Sequence, residues 1–145
     1  MSNSIYKQIY NQKITILNKL KRADTETGKL DEWYKHTVEN AVWYEDSARN
    51  SGGNGVFIGT YITVMIPFSD DYEEYREWKK LTDKDSKFTM SSGDYIVLGD
   101  VPENVDASNI VKLMEEYGDR SCTVKHIKRP HKRFNAHVQL RIEGV

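Results

Sequence analysis

The sequence predicts a mainly β, α+β domain: a small antiparallel β-barrel or sandwich with two short peripheral helices. Three observations predict it. Asn54–Phe68 is the longest run of β-branched and aromatic residues in the chain, opened by the Gly-rich turn Ser51–Gly55 and closed by Pro67. Several other segments alternate at period two between turn signals, as half-buried strands do. Two stretches instead shift to helical spacing, with dipole-matched charge or a glycine stop at their ends.

The first strand is expected at about Gln12–Lys19, where Lys13-Ile-Thr-Ile-Leu-Asn18 alternates; residues 1–11 read as an N-terminal turn or arm. After a polar loop with a Thr27-Gly28 turn, a strand pair is expected at Asp31–Val38 and Ala41–Tyr44, joined by Glu39-Asn40. Trp33 and Trp43 are read as core residues at the sheet face. Ser47–Gly55 reads as a mobile loop, and its glycines lack the Gly-Lys-Ser/Thr ending of a phosphate loop. In the long strand that follows, Thr60, Ile62, Val64 and Ile66 share one face and Tyr61, Thr63 and Met65 the other. Both faces are partly apolar, which suits an inner, central strand covered on two sides.

Asp70–Leu81 places acids in its first turn and lysines in its last, so a helix is expected there, with Ser69 or Asp70 as N-cap and Tyr72, Tyr75 and Trp78 inward. Lys87–Met90 is extended, Ser91–Asp94 turns, and Tyr95–Leu98 is a buried strand ended by Gly99. A second helix at about 107–117 is capped by Asp106 or Ser108 and stopped by Gly118, with Ile110, Leu113, Met114 and Tyr117 on one face. Cys122–Ile127 and Ala136–Ile142 form a terminal hairpin around the basic loop Lys128–Phe134, suited to closing a barrel.

At 145 residues the chain suits one domain, 1–145, large enough for a real core. Its apolar fraction of 38% against 30% charged residues predicts much wet or partner-covered surface. No stretch approaches the ~20 apolar residues of a membrane helix, and the N-terminus lacks signal architecture. The single cysteine, Cys122, has no internal disulfide partner, which predicts a reducing, cytoplasmic site of synthesis. The net charge of −1 calls for no nucleic acid, yet charge is segregated: Arg120–Arg133 holds six Lys/Arg, two His and no acid, while 69–85 and 94–119 are mainly acidic. That pattern fits either a two-faced, self-complementary surface or a solvated basic hairpin loop.

No reaction centre assembles from the residues. His36, His126, His131 and His137 lack metal-ligand spacing, and no second cysteine supports zinc. His131 and His137 read as two exposed histidines rather than a pair. Cys122 reads as a small core residue, the acids of 70–74 as helix-dipole partners, and Asp24, Glu26, Asp31, Glu32, Asp94 and Asp100 as turn residues. The chain is therefore expected to be no enzyme and to carry no cofactor and no metal. Nine tyrosines and three tryptophans in so polar a chain imply aromatics near the surface, the residues that interfaces favour at their centres.

Several segments resemble small structural proteins of Gram-positive phages and prophages, and more loosely the head-closure (stopper) and head–tail connector families. The resemblance rests on Lys13–Lys19, Trp33–Val38 with Val42-Trp43, Glu77–Lys80, Phe88–Met90 with Gly93–Gly99, Asn109–Leu113 with Tyr117–Asp119, and His137–Gly144. Gly93–Gly99 is the most specific of these. The helices near 71–81 and 107–117 depart from the simpler head-closure pattern. What the resemblance implies is a virion protein of the neck: a β-barrel assembled as a homo-oligomeric, twelvefold ring around the DNA channel. It would be made in the bacterial host cytoplasm, with a portal or adaptor protein on the head side and a tail-completion or tail terminator protein on the tail side. By the same resemblance, Ser47, Arg49, Asn50, Gly52, Gly53 and Asn54 would belong to a channel or gating loop. Lys125, Lys128, Arg129, Lys132 and Arg133 would face DNA, bound non-specifically, or a neighbouring subunit. The rival expectation is a monomeric nucleic-acid-binding barrel using the same basic residues with a tyrosine or Phe134 stacking, although the aromatics do not interleave with the basic cluster as single-strand platforms require. A tail-completion protein at the same junction is the nearest variant.

Overall fold

The computed structural model describes residues 12–52, 55–66, 70–128 and 136–142, and the side chains of 12–45, 62–66, 70–125 and 127. The expected arm 1–11, the cap Ser69, Gly53, Asn54 and 129–135 lie outside the described residues. Seven strands form one antiparallel sheet: β1 (Gln12–Leu20), β2 (Glu32–Gly52), β3 (Gly55–Ile66), β4 (Tyr95–Leu98), β5 (Ser121–Thr123), β6 (His126–Lys128) and β7 (Ala136–Ile142). Their order is β5-β4-β1-β2-β3-β7-β6. Two helices complete the fold, α1 (Tyr75–Trp78) and α2 (Ile110–Tyr117). The expected mainly β architecture with peripheral helices is what forms.

The sheet curls because the chain demands it. β5 and β6 stand at opposite ends of the strand order, yet only Val124 and Lys125 separate them in sequence. From Thr123 to His126 an extended chain reaches at most ~11 Å, whereas seven flat strands would hold their edges about 29 Å apart. The edges must therefore meet, and β5 lies against β7. The expected single strand Cys122–Ile127 is thus two strands, one at each edge of the sheet, divided at this crossover. The β6–β7 hairpin itself forms as expected, with Ile127 opposite Val138.

The two expected strands Asp31–Val38 and Ala41–Tyr44 are one strand, β2, because Glu39-Asn40 is a bulge and not a turn. Opposite β1 the register runs Ile14↔Val38 and then Gln12↔Ala41, one extra residue on β2, with Asn40 at φ +60°. Asn tolerates that left-handed conformation better than most residues. The extra residue inverts the alternation. Before it, His36 and Val38 turn to the interior, where His36 stacks on Phe88; after it, Ala41 and Trp43 do. Both halves of β2 can then face one core.

That core fills the curl: Ile14 and Ile16 of β1, Ala41 of β2, Ile62, Val64 and Ile66 of β3, Ile96 of β4, and Cys122 and Val124. Phe88 and Met90 pack into the same cluster. β3 is an inner strand, as its sequence predicts, but β2 occupies the middle of the sheet and β1 is the strand buried on both faces. The outer face of β1 and β4 is covered by α2, whose Ile110, Leu113 and Met114 pack with Val101 on Leu17 and Val97. Gly118 stops α2 at φ +55°, as expected. The N-cap of α2 is Asn109, without a side-chain cap, and not Asp106 or Ser108 as expected; Asp106 instead orders the turn before the helix, accepting from the N–H groups of Ser108 and Asn109.

The expected helix over 70–81 is reduced to the single turn α1, with Glu74 at its N-cap. Asp71 C=O accepts from Phe88 N–H at 2.9 Å, and Glu73 N–H donates to Phe88 C=O at 2.9 Å. These bonds hold 71–73 extended beside Phe88, so tertiary pairing overrides the local preference. The inward aromatics are nonetheless correct: Trp78 is fully buried, edge-on to Tyr34, and Tyr72 packs on Phe88.

Candidate assembly surface

β2 and β3 run on as a pair well past the rest of the sheet. β1 leaves β2 at Ala41, and β7 leaves β3 at Thr60, but the β2–β3 ladder continues through Ala48↔Gly59 and Asn50↔Phe57 to Gly52↔Gly55. The five residues of β3 from Gly59 to Gly55 give a two-stranded ribbon about 17 Å long beyond the last β7 contact at Thr60, at ~3.4 Å per residue. Among the described residues no strand pairs with its outer edges. A lone two-stranded ribbon is marginal in water, and its free N–H and C=O groups are a template for another chain.

The ribbon corrects the expected loop. Ser47, Arg49, Asn50 and Gly52 lie in β2, because a register of eleven antiparallel pairs from Val42↔Met65 to Gly52↔Gly55 outweighs the turn-like composition. Gly53 and Asn54, at the tip, lie outside the described residues. Tyr44 stands at the ribbon's base, opposite Thr63, and is 54% exposed. With Leu30 and Val111 it makes up the large exposed apolar residues among those described.

The basic segment is divided differently from the sequence expectation. Lys125 is exposed in the β5–β6 crossover, and Lys128 is in β6 and not in a loop. Arg129, Lys132 and Arg133 lie outside the described residues. Arg120, which opens the block, is exposed but tied to the fold, donating to Leu98 C=O at 2.7 Å. Its guanidinium lies where a Cβ on Gly99 would fall, but that flexible side chain can move aside; the φ of +97° is what favours glycine there.

Local structure also accounts for much of the acidic blocks. Asp100 pairs with Lys13 at 3.0 Å, Glu103 accepts from Tyr117, and Asp24 accepts from Tyr75 at 2.7 Å and pairs with Lys79 at 3.3 Å. The Tyr75 bond is the main cause holding the Asp24 carboxyl below its ordinary value, while burial, ahead of the bond to Asp24, pushes the Tyr75 phenol up to about 12. Ser108 holds the Asp106 carboxyl down in the same way. Glu115, Glu116 and Asp119 remain exposed on and after α2. Cys122 is buried, and burial pushes its thiol well above the ordinary range, which keeps it an unreactive core residue.

One group escaped sequence reasoning. Asp94, whose Gly-Asp context signals only a turn, is 1% exposed. Its carboxylate accepts from Asn18 Nδ2 at 3.0 Å, Lys19 N–H at 3.0 Å and Ser91 N–H at 2.9 Å. Asn18 also clasps the backbone of Thr89, donating to its C=O at 2.7 Å and accepting from its N–H at 3.1 Å. The signal that could have found this cluster is Asn18 itself, a polar residue at the inward place that follows Ile14 and Ile16. Among the described residues no three His, Cys, Asp or Glu side chains gather as a metal site, and no helix is long and apolar enough to cross a membrane.

Fold and surface together define a small barrel-like antiparallel domain with a projecting β-ribbon. The chain belongs to the DUF6751 family, a family of unknown function whose profile matches residues 9–145. No curated protein matches the sequence significantly.

Proposed function

We propose that this protein is a structural, non-enzymatic subunit of a phage head–tail junction, a stopper or adaptor that works by assembling into a ring. The observation that carries the reading is the β2–β3 ribbon, which extends beyond the barrel with edges that no described strand covers. A backbone edge of this kind gains hydrogen bonds when a neighbouring chain reaches it. The exposed Tyr44 at its base supplies an aromatic anchor of the type interfaces favour. In this reading the partners are copies of itself, a portal or adaptor ring above, a tail-completion or tail terminator ring below, and DNA passing through without specific contacts. Lys125 and Lys128 lie at the seam and add a modest positive charge there. A channel wall of low net charge suits transit, because every phosphate contact adds salt-dependent affinity.

The test replaces Ala48–Gly59 by a two-residue turn joining Ser47 to Thr60. The trimmed protein should keep its circular dichroism and thermal transition but lose ring formation, seen by light scattering and negative-stain microscopy of the protein with its head-side neighbour. Unchanged assembly by the trimmed chain overturns the role of the ribbon. A full-length protein that stays monomeric and binds DNA with a steep salt dependence favours the nucleic-acid-binding barrel instead.

A further inference from the structure

We propose that the open β2 edge of the ribbon is the docking strip for residues 5–11 of a neighbouring copy, so that subunits are joined by exchanged N-terminal arms. The inference rests on the ring reading above and names the segment that meets the ribbon. β1 enters the sheet at Gln12, opposite Ala41, and from Val42 to Gly52 no described strand pairs with that side of β2. On the other side of the ribbon, β3 is left open only from Gly55 to Gly59. The longer strip is therefore the one that the chain preceding β1 is aimed along. In an antiparallel ladder each step back along one strand is a step forward along the other. Carrying the Gln12↔Ala41 register outward sets Tyr10 against Trp43, Ile9 against Tyr44 and Lys7 against Asp46.

Aromatic on aromatic, apolar on aromatic and cation on anion are the cross-strand pairs that favour a sheet. A strand added to the edge also gives its backbone N–H and C=O groups partners, which supplies affinity beyond the side chains. Tyr44 decides where the arm comes from. It is 54% exposed in the single chain, so the isolated subunit leaves open the aromatic ring that this register would pair with Ile9. Exchange of an identical element between subunits is a low-cost way to associate, because the neighbour receives the same contacts that the register defines within one chain. Each subunit gives an arm to one neighbour and offers its β2 edge to the next. Contacts of that head-to-tail kind close into rings when the rotation between subunits allows it.

Two single-cysteine variants of the full chain, Ile9→Cys and Tyr44→Cys, test the exchange, since the native Cys122 is buried and does not compete. Mixed and oxidised with the head-side neighbour present, they should give a disulfide-linked heterodimer, and a chain carrying both changes should give a ladder of linked oligomers. Ile9→Cys mixed with Lys112→Cys, exposed on α2, should give neither. Equal linking to Lys112→Cys reports collision alone and overturns the proposal. Disulfides confined within single chains of the double variant would seat the arm on its own β2 and also overturn it. Should Tyr44→Cys fail to fold, Lys7→Glu in the otherwise unchanged chain should weaken assembly by about threefold, and Asp46→Lys added to it should restore assembly. Lys7→Glu without effect, or without rescue, overturns the proposal. Rings that form with no disulfide between positions 9 and 44 overturn the arm exchange and leave the ring reading standing, whereas a chain that forms no rings overturns both.

Discussion

Replacing Asn18 by alanine isolates the value of the polar clasp at the end of the core. Asn18 is 1% exposed and makes three buried hydrogen bonds, two to the Thr89 backbone and one to Asp94. Asn18→Ala leaves the N–H and C=O of Thr89 without that partner, in a place water does not reach, and takes one donor from a carboxylate. Each buried neutral group orphaned in this way costs about 1–3 kcal/mol, and the group on the carboxylate adds to that. A total loss of roughly 3–5 kcal/mol follows, a large part of the 5–15 kcal/mol typical of a domain. At about 2–4 °C per kcal/mol for a chain of this size, the thermal midpoint should fall by roughly 10 °C or more. Urea unfolding by fluorescence and circular dichroism, with an unchanged slope, gives the free energy directly. The electrostatic consequence has a definite sign: losing the Asn18 donor removes one of the influences that lower the Asp94 pKa, so that carboxyl should titrate higher still. A loss under about 1 kcal/mol, or an Asp94 pKa that falls, would refute the idea that this clasp satisfies buried groups and anchors 88–91.

Trp78 is fully buried, packs edge-on to Tyr34 at 5.6 Å and donates to Lys84 C=O at 3.4 Å. Trp78→Ala should cost about 3–5 kcal/mol by equilibrium unfolding, and a loss below 1 kcal/mol would mean that α1 is only draped on the surface. At the β2 bulge, Asn40→Gly should be tolerated within about 0.5 kcal/mol, while Asn40→Val should cost about 1–2 kcal/mol because a branched side chain resists a φ of +60°; equal stabilities of the two variants would argue against the bulge. Cys122 should react with a thiol reagent at the rate of unfolding and not faster, since it is buried and its thiol is held protonated.

The sequence by itself determined the local elements. Alternation marks β1 and β3 within a residue or two, the short apolar run before Gly99 marks β4, and the apolar stripe of Ile110, Leu113 and Met114 with Gly118 marks α2. It also determined the mainly β class and the inward aromatics Tyr72 and Trp78. What only the tertiary structure decided are the places where a backbone bond comes from far away. Phe88 pulls 71–73 out of helix, β1 turns Glu39-Asn40 from a hairpin into a bulge, and Asp94 with Gly93 captures Val124 so that one expected strand becomes the two edges of a curled sheet. The ribbon belongs with these, since eleven paired registers make strand of residues whose composition reads as loop. Propensity is a sum over neighbours in sequence and amounts to fractions of a kcal/mol per residue. Pairing and burial act between residues tens of positions apart, and where the two disagreed in this chain, the distant partner prevailed.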